Sequence, residues 1–265
     1  MSIDAPQRLQ GRHALVTRPR ERALELCFLL EDEGAKVTAL PLLELVPPED
    51  PRPLQAAAER LARFEWVAFA SPSSVAALVD AARQAGSFDE LRRVKLAAVG
   101  PRTAHSLQAH GLSVERQADA GGGAALAAAM QGALRAGDRV LLPAAEDGRS
   151  ELQEALEGMG AEITRVCAYR SVKLELEPSL VAELERDPPA VAFFASPRTA
   201  EAFWDALGPE RARAMLSRAA SIAIGPTTRA ALDELGAPRA ATAEHPTPES
   251  MVDAAAQALA PRRAL

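Results

Sequence analysis

Short, almost unbroken apolar runs alternate along the chain with longer stretches whose apolar residues recur at helical spacing. The runs are His13–Thr17, Lys36–Leu40, Trp66–Ala70, Lys95–Val99, Arg139–Leu142, Glu162–Ala168, Ala190–Ala195 and Ser221–Ile224. Runs of this kind suit strands buried on both faces, as in parallel sheets covered by helices. Between them, Ala23, Leu26, Leu29 and Leu30 mark one helical face, as do Ala104, Leu107 and Ala109. Leu152, Leu156 and Met159, and Ala230, Leu232 and Leu235, mark two more. Gly34, Gly111, Gly160 and Gly236 stand where these helices should stop. The expected class is α/β, with parallel sheets.

Two of these strand–turn–helix units occur twice. Trp66-Val67-Ala68-Phe69-Ala70-Ser71-Pro72 matches Val191-Ala192-Phe193-Phe194-Ala195-Ser196-Pro197, and Ser71 and Ser196 are 125 positions apart. Ala98-Val99-Gly100-Pro101-Arg102-Thr103 matches Ala223-Ile224-Gly225-Pro226-Thr227-Thr228 with the same offset of 125. A common offset at both motifs implies two similar halves. A looser third pair joins Ala14–Val37 to Arg139–Ile163, but its copies sit on opposite sides of their partner motifs. If Leu54–Val166 is one domain, the other is discontinuous, built from both chain ends. The chain then crosses at Leu40–Val46 and Ala168–Val172, two extended segments able to pair. A tandem division near residue 125 is equally self-consistent at this level.

The chain has 265 residues, enough for one large or two ordinary domains. Its formal charge is −6, with acids and bases interspersed, which argues against a nucleic-acid surface. Aromatic residues make up only 4%, too few for base-stacking platforms. Cys27 and Cys167 lie in apolar sequence and suggest no disulfide, consistent with a reducing compartment. No apolar stretch is long enough to span a membrane, and the polar Met1–Arg12 predicts no export signal. His13, His105, His110 and His245 are scattered, so they read as surface or cap residues and not as a metal site. Gly121-Gly122-Gly123 follows no buried strand, and reads as a flexible entry to a helix at Ala124–Leu134 instead of a dinucleotide loop. No cofactor is expected.

Candidate chemistry gathers in the turns. Ser71-Pro72-Ser73-Ser74 and Ser196-Pro197-Arg198-Thr199 each place Ser at an N-cap and Pro at the first helical position. Gly100-Pro101-Arg102-Thr103 and Gly225-Pro226-Thr227-Thr228 also open helices after strands. Each is complete as a plain helix start. All four, however, fall at carboxyl ends of strands, where open α/β sheets gather ligands and where helix N-termini attract anions. A cleft between the domains lined by such turns would suit a ligand with many carboxylates. Ser71, Ser73, Ser74, Thr103, Ser196, Arg198, Thr199, Gly225, Thr227 and Thr228 are therefore candidate binding residues. Arg18 and Arg149 occupy the corresponding loops of the third repeat pair and are candidate anion contacts. Tyr169, the only tyrosine, stands at the proposed crossover, where its phenol could donate a hydrogen bond or proton to a departing oxygen.

Together, Ala14-Leu15-Val16-Thr17-Arg18-Pro19, the two Ala-Ser-Pro turns, the two Gly-Pro turns and Tyr169 resemble the uroporphyrinogen-III synthase family, from about His13 to Leu259. The resemblance implies two α/β domains, residues 1–40 with 172–265 and residues 47–167, joined by connector strands at 41–46 and 168–171. It also implies cofactor-free cyclisation of the linear tetrapyrrole hydroxymethylbilane to uroporphyrinogen III, with inversion of the last ring and loss of water. By the same resemblance Tyr169 assists hydroxyl departure, and Ser71, Thr103, Ser196 and Thr228 supply hydroxyls to the cleft. Ala70 and Ala195 stand where many members carry Thr. A cytoplasmic monomer with neither nucleic-acid nor membrane partner is the expectation. The rival reading is a non-catalytic two-lobed sensor of a polycarboxylate; with Pro261–Leu265 as the last residues, an appended DNA-binding domain is not expected.

Overall fold

The computed structural model describes residues 7–118 and 122–260. Its chain divides into two compact units, Met1–Glu44 with Val172–Leu265, and Leu45–Ser171. Eleven strands occur among the described residues. In chain order they are β1 (His13–Val16), β2 (Lys36–Ala39), β3 (Leu43–Val46), β4 (Trp66–Phe69), β5 (Lys95–Val99) and β6 (Arg116–Ala118). They continue as β7 (Arg139–Ala145), β8 (Glu162–Lys173), β9 (Val191–Phe194), β10 (Ala220–Ala223) and β11 (Ala240–Thr242).

The unit containing both chain ends has a five-stranded sheet of order β11-β10-β9-β1-β2, and all four of its ladders are parallel. The other sheet runs β3-β8-β7-β4-β5-β6, with parallel ladders from β8 through to β6. With β3 set aside, the two orders are the same arrangement entered at different points. Counted from its own first strand, the first sheet reads 2-1-3-4-5 and the second 3-2-1-4-5, the two common doubly wound orders. This permutation accounts for the third repeat pair. Its β1 copy precedes β9 in the chain, whereas its β7 copy follows β4.

Continuous apolar runs become strands because helices cover both faces of each sheet. In β9, Val191 and Phe193 enter one core layer while Ala192 and Phe194 enter the opposite one. In β4, Val67 and Phe69 face one layer, Trp66 and Ala68 the other. Each fully buried aromatic contributes about 2–3 kcal/mol against exposure. The four helices expected to stop at glycine do so, with φ of +81° at Gly34, +72° at Gly111, +87° at Gly160 and +83° at Gly236.

Several boundaries differ from the sequence expectation. β7 continues past Leu142 through Pro143 to Ala145. Its ladder with β4 involves only Val140 and Leu141, so Pro143 interrupts no donor there while pairing with β8 goes on. The expected strand at Glu162–Ala168 and the crossover after it form one 12-residue strand, β8, and β3 lies beside it at the sheet edge. β6 and β11, three residues each, were not anticipated. The helix expected at Ala124–Leu134 spans Gly122–Met130. Gly121 lies outside the described residues. Gly123 is a packing residue and not a flexible entry, because a Cβ there would stand 2.8 Å from Leu152 Cβ. His13, expected at the surface, is buried, with Nδ1 2.8 Å from the Asp187 carbonyl and Nε2 2.9 Å from Thr38 Oγ1. No helix among the described residues is long and apolar enough to cross a membrane.

Candidate functional site

In the Leu45–Ser171 unit the strand order reverses between β4 and β7, and a crevice opens at their carboxyl ends, as doubly wound sheets require. A pocket of about 220 Å³ lies there. Ser71, Val99, Ala145, Arg149, Glu151 and Tyr169 are among its lining residues. Ser71 leaves β4 and caps the helix Pro72–Gln84, its Oγ accepting from the Ser74 amide at 3.2 Å. The Ser74 hydroxyl is spent within the same turn, donating to the Ser71 carbonyl at 2.8 Å. That leaves Ser71 Oγ facing the pocket, where Tyr169 Oη lies 3.1 Å away.

Tyr169 reaches this position through a β-bulge. Along β7 and β8, Leu142 pairs with Arg165, Pro143 with Val166 and Ala144 with Cys167, but Ala145 pairs with Tyr169 and skips Ala168. In an unbroken strand Tyr169 would share the face of Arg165 and Cys167. The extra residue shifts it to the face of Val166, which is the layer holding the Pro72–Gln84 helix. The strand irregularity thus aims the phenol at Ser71. The β7 end is fixed to the same point, since the Glu146 amide donates to the Tyr169 carbonyl at 2.9 Å. Burial raises the neighbouring Cys167 thiol above its ordinary pKa, which keeps it protonated and unsuited to nucleophilic work.

The other unit has its own reversal, between β9 and β1. Ser196 caps the helix Pro197–Leu207 through a full capping box, its amide donating in return to Thr199 Oγ1. Thr17 Oγ1 donates to the Phe193 carbonyl at 2.7 Å, closing the strand ends together. Arg18 is not a surface arginine: it is 3% exposed, with Nη2 3.6 Å from Met251 Sδ. Its repeat counterpart Arg149 is exposed at the edge of the pocket.

The candidates therefore separate into groups. Ser71, Ser73, Ser74, Thr103, Arg149 and Tyr169 belong to one unit, and Arg18, Ser196, Arg198, Thr199, Gly225, Thr227 and Thr228 to the other. Ser74, Thr103, Thr199 and Thr228 are each 2% exposed or less, in the first turns of their helices. Thr227 is exposed, while Ser71, Ser73, Ser196, Arg198, Gly225 and Tyr169 are half-buried. The two Gly-Pro turns, alike in sequence, differ in backbone: Gly100 has φ of +76°, and Gly225 is extended at −173°. Sequence reasoning passed over Arg165, whose guanidinium reaches the loop after β7. A cation inside the run Glu162–Ala168 was the available signal.

Two sheets of one spatial arrangement, permuted in chain order and each with its own reversal point, define a duplicated two-domain α/β protein. The chain belongs to the uroporphyrinogen-III synthase family, whose model, described as Uroporphyrinogen-III synthase HemD, matches residues 25–253. It is 34% identical over 248 residues to a putative uroporphyrinogen-III synthase of Methanothermobacter thermautotrophicus, covering 91% of this chain and 96% of the relative. It is 29% identical over 237 residues to a uroporphyrinogen-III synthase of Synechococcus elongatus, with 87% and 89% covered. Among solved structures, uroporphyrinogen-III synthetase from Helicobacter pylori superimposes with a TM-score of 0.64 at 20% identity, over 91% of this chain and 97% of that one. A mutant uroporphyrinogen III synthase from Thermus thermophilus gives 0.63 at 20%, with 94% and 99% covered. These structures share the fold.

Proposed function

We propose that the chain cyclises hydroxymethylbilane to uroporphyrinogen III, inverting the last pyrrole ring and releasing water, with the pocket of the Leu45–Ser171 unit acting at the departing hydroxyl. Membership of the family makes it a cyclising lyase of haem biosynthesis. The observation that supports the residue assignment is the 3.1 Å pair of Tyr169 Oη and Ser71 Oγ inside that pocket.

Either hydroxyl can donate in this pair; in the arrangement we propose for catalysis Ser71 Oγ, which accepts the Ser74 amide, donates its own proton to Tyr169 Oη. The phenol proton is then left to donate to the leaving hydroxyl. Departure of that hydroxyl is driven by the adjacent pyrrole nitrogen and gives an azafulvene, so the protein contributes a hydrogen bond at the leaving oxygen and little other acid–base chemistry. The last ring attacks through its substituted carbon to give a spiro intermediate, which reopens and closes with the ring inverted. Holding the tetrapyrrole in the geometry that favours this attack over direct closure is the main catalytic task, a proximity effect.

The substrate bears eight carboxylates. Arg149 and the positive ends of the helices Pro72–Gln84, Pro197–Leu207 and Pro226–Glu234 would receive them. A pocket of about 220 Å³ is below the range of sites that enclose a whole drug-sized ligand, so it takes one part of this long substrate. The hydroxyls of Ser74 and Thr199 are used within their own helix starts, Thr103 and Thr228 are buried beneath theirs, and Ser71, Ser73, Ser196, Arg198, Gly225 and Thr227 would face ligand. We take the protein to be a cytoplasmic monomer acting without nucleic-acid or membrane partners; its free thiols Cys27 and Cys167 fit a reducing compartment. Chromatographic separation of the products tests the function: type III isomer above the spontaneous level is expected, and type I alone would favour a sensor.

A further inference from the structure

The loop between β7 and the helix Glu151–Gly158 carries Arg149 to the pocket, yet residues 146, 147 and 149 are exposed and bring no apolar anchor of their own. Three ties hold it. The Glu146 amide donates to the Tyr169 carbonyl at 2.9 Å, and the Gly148 amide to the Ala145 carbonyl at 3.0 Å. The third comes from a side chain: Arg165 Nη2 donates to the Gly148 carbonyl at 2.7 Å and to the Ala145 carbonyl at 3.4 Å. One nitrogen with two hydrogens thereby spans the loop, which a planar guanidinium provides in fixed geometry. The approach is close enough that a Cβ on Gly148 would lie 3.1 Å from the Ala145 carbonyl and 3.3 Å from Arg165 Nη2. The charge of Arg165 also strengthens both bonds over those of a neutral donor.

We propose that Arg165 is a positioning residue for the reaction: by clamping the Gly148 and Ala145 carbonyls it fixes where Arg149 meets a substrate carboxylate. This rests on the functional reading above for its consequence, but the clamp itself does not. Arg165 contacts loop backbone alone in this role, so its effect on turnover runs through the loop it holds, chiefly through Arg149.

Two measurements separate the clamp from the function. In the free protein, amide hydrogen exchange at Glu146 and Gly148 should be roughly tenfold faster in Arg165→Met, which keeps the apolar stem, and near the wild-type rate in Arg165→Lys, which keeps a donor. Unchanged exchange in Arg165→Met overturns the clamp, whatever the activity. For catalysis, Arg165→Met should raise KM for hydroxymethylbilane about tenfold with kcat within twofold, and Arg165→Lys should restore most of it. In an Arg149→Ala background, Arg165→Met should add less than a twofold further rise. A full tenfold rise in that background would show that Arg165 acts elsewhere. Faster exchange with no activity in the wild type would sink the functional reading and leave the clamp standing.

Discussion

Tyr169 Oη and Ser71 Oγ lie 3.1 Å apart although 98 positions separate them in the chain. The pair brings together a helix cap and a bulged strand, so its two members should respond differently to removal. Tyr169→Phe should lower turnover several-fold and shift the melting temperature less than loss of the cap does, because water in the pocket can replace the phenol as a partner of Ser71. Ser71→Ala should also lower turnover, and should cost about 1 kcal/mol through the lost N-cap, or about 2–4 °C of melting temperature. Calorimetry alongside steady-state kinetics reads both; equal destabilisation by the two substitutions would contradict the assignment of the cap.

The two Gly-Pro turns offer a comparison within one molecule. Gly100 sits at φ +76°, where an L-residue is strained by about 1–2 kcal/mol, and Gly225 is extended. Neither position has an atom within 4 Å of a built Cβ, so backbone conformation alone separates them. Gly100→Ala should lower the unfolding midpoint in denaturant clearly, and Gly225→Ala should leave it nearly unchanged. Equal shifts would mean that the two turns do not differ as described.

Gly123 lets the helices Gly122–Met130 and Glu151–Gly158 approach closely. A Cβ there would be 2.8 Å from both Leu152 Cβ and Leu152 N, and the backbone atom cannot swing aside. Gly123→Ala should cost about 1–3 kcal/mol as the helices separate. Since Gly123, Glu151 and Leu152 all line the pocket, KM should rise as well. Denaturant titration and substrate kinetics on the same preparation check the two effects together.

Acid stability has an identifiable contributor. The Arg139 guanidinium and amide both donate to Glu65, which holds its carboxyl well below the usual range, at about 2. A depressed folded pKa means stability that is present above the unfolded value of about 4.3 and is lost as pH falls through 2. Both side chains are more than a third exposed, so solvent screening holds the contribution under about 1 kcal/mol. The stability advantage of wild type over Glu65→Gln should shrink between about pH 4.5 and 2. A difference that stays constant across that window would remove the ion pair from the account.

Much of the architecture is readable in the chain because continuous apolar runs have few alternatives to buried parallel strands. His13–Val16, Trp66–Phe69 and Val191–Phe194 are plain for this reason. Arg116–Ala118 and Ala240–Thr242 are not, since three-residue edge strands with half-exposed residues lack such a run. The turns show where ligand chemistry gathers, and the caps at Ser71 and Ser196 follow from Ser-Pro alone. Which candidates meet does not follow. The Tyr169–Ser71 pair depends on a one-residue register slip at Ala168 that no local pattern encodes. Burial of Arg18 against exposure of Arg149 is likewise decided by tertiary packing around Met251, far from either loop in sequence.

The most direct measurement is incubation of the purified chain with freshly generated hydroxymethylbilane, followed by oxidation and chromatographic resolution of the type I and type III uroporphyrins. Wild type should give predominantly type III at a rate far above spontaneous closure, and Tyr169→Phe the same isomer several-fold more slowly. Type I alone, formed at the rate seen without protein, would contradict a synthase built around Tyr169 and Ser71.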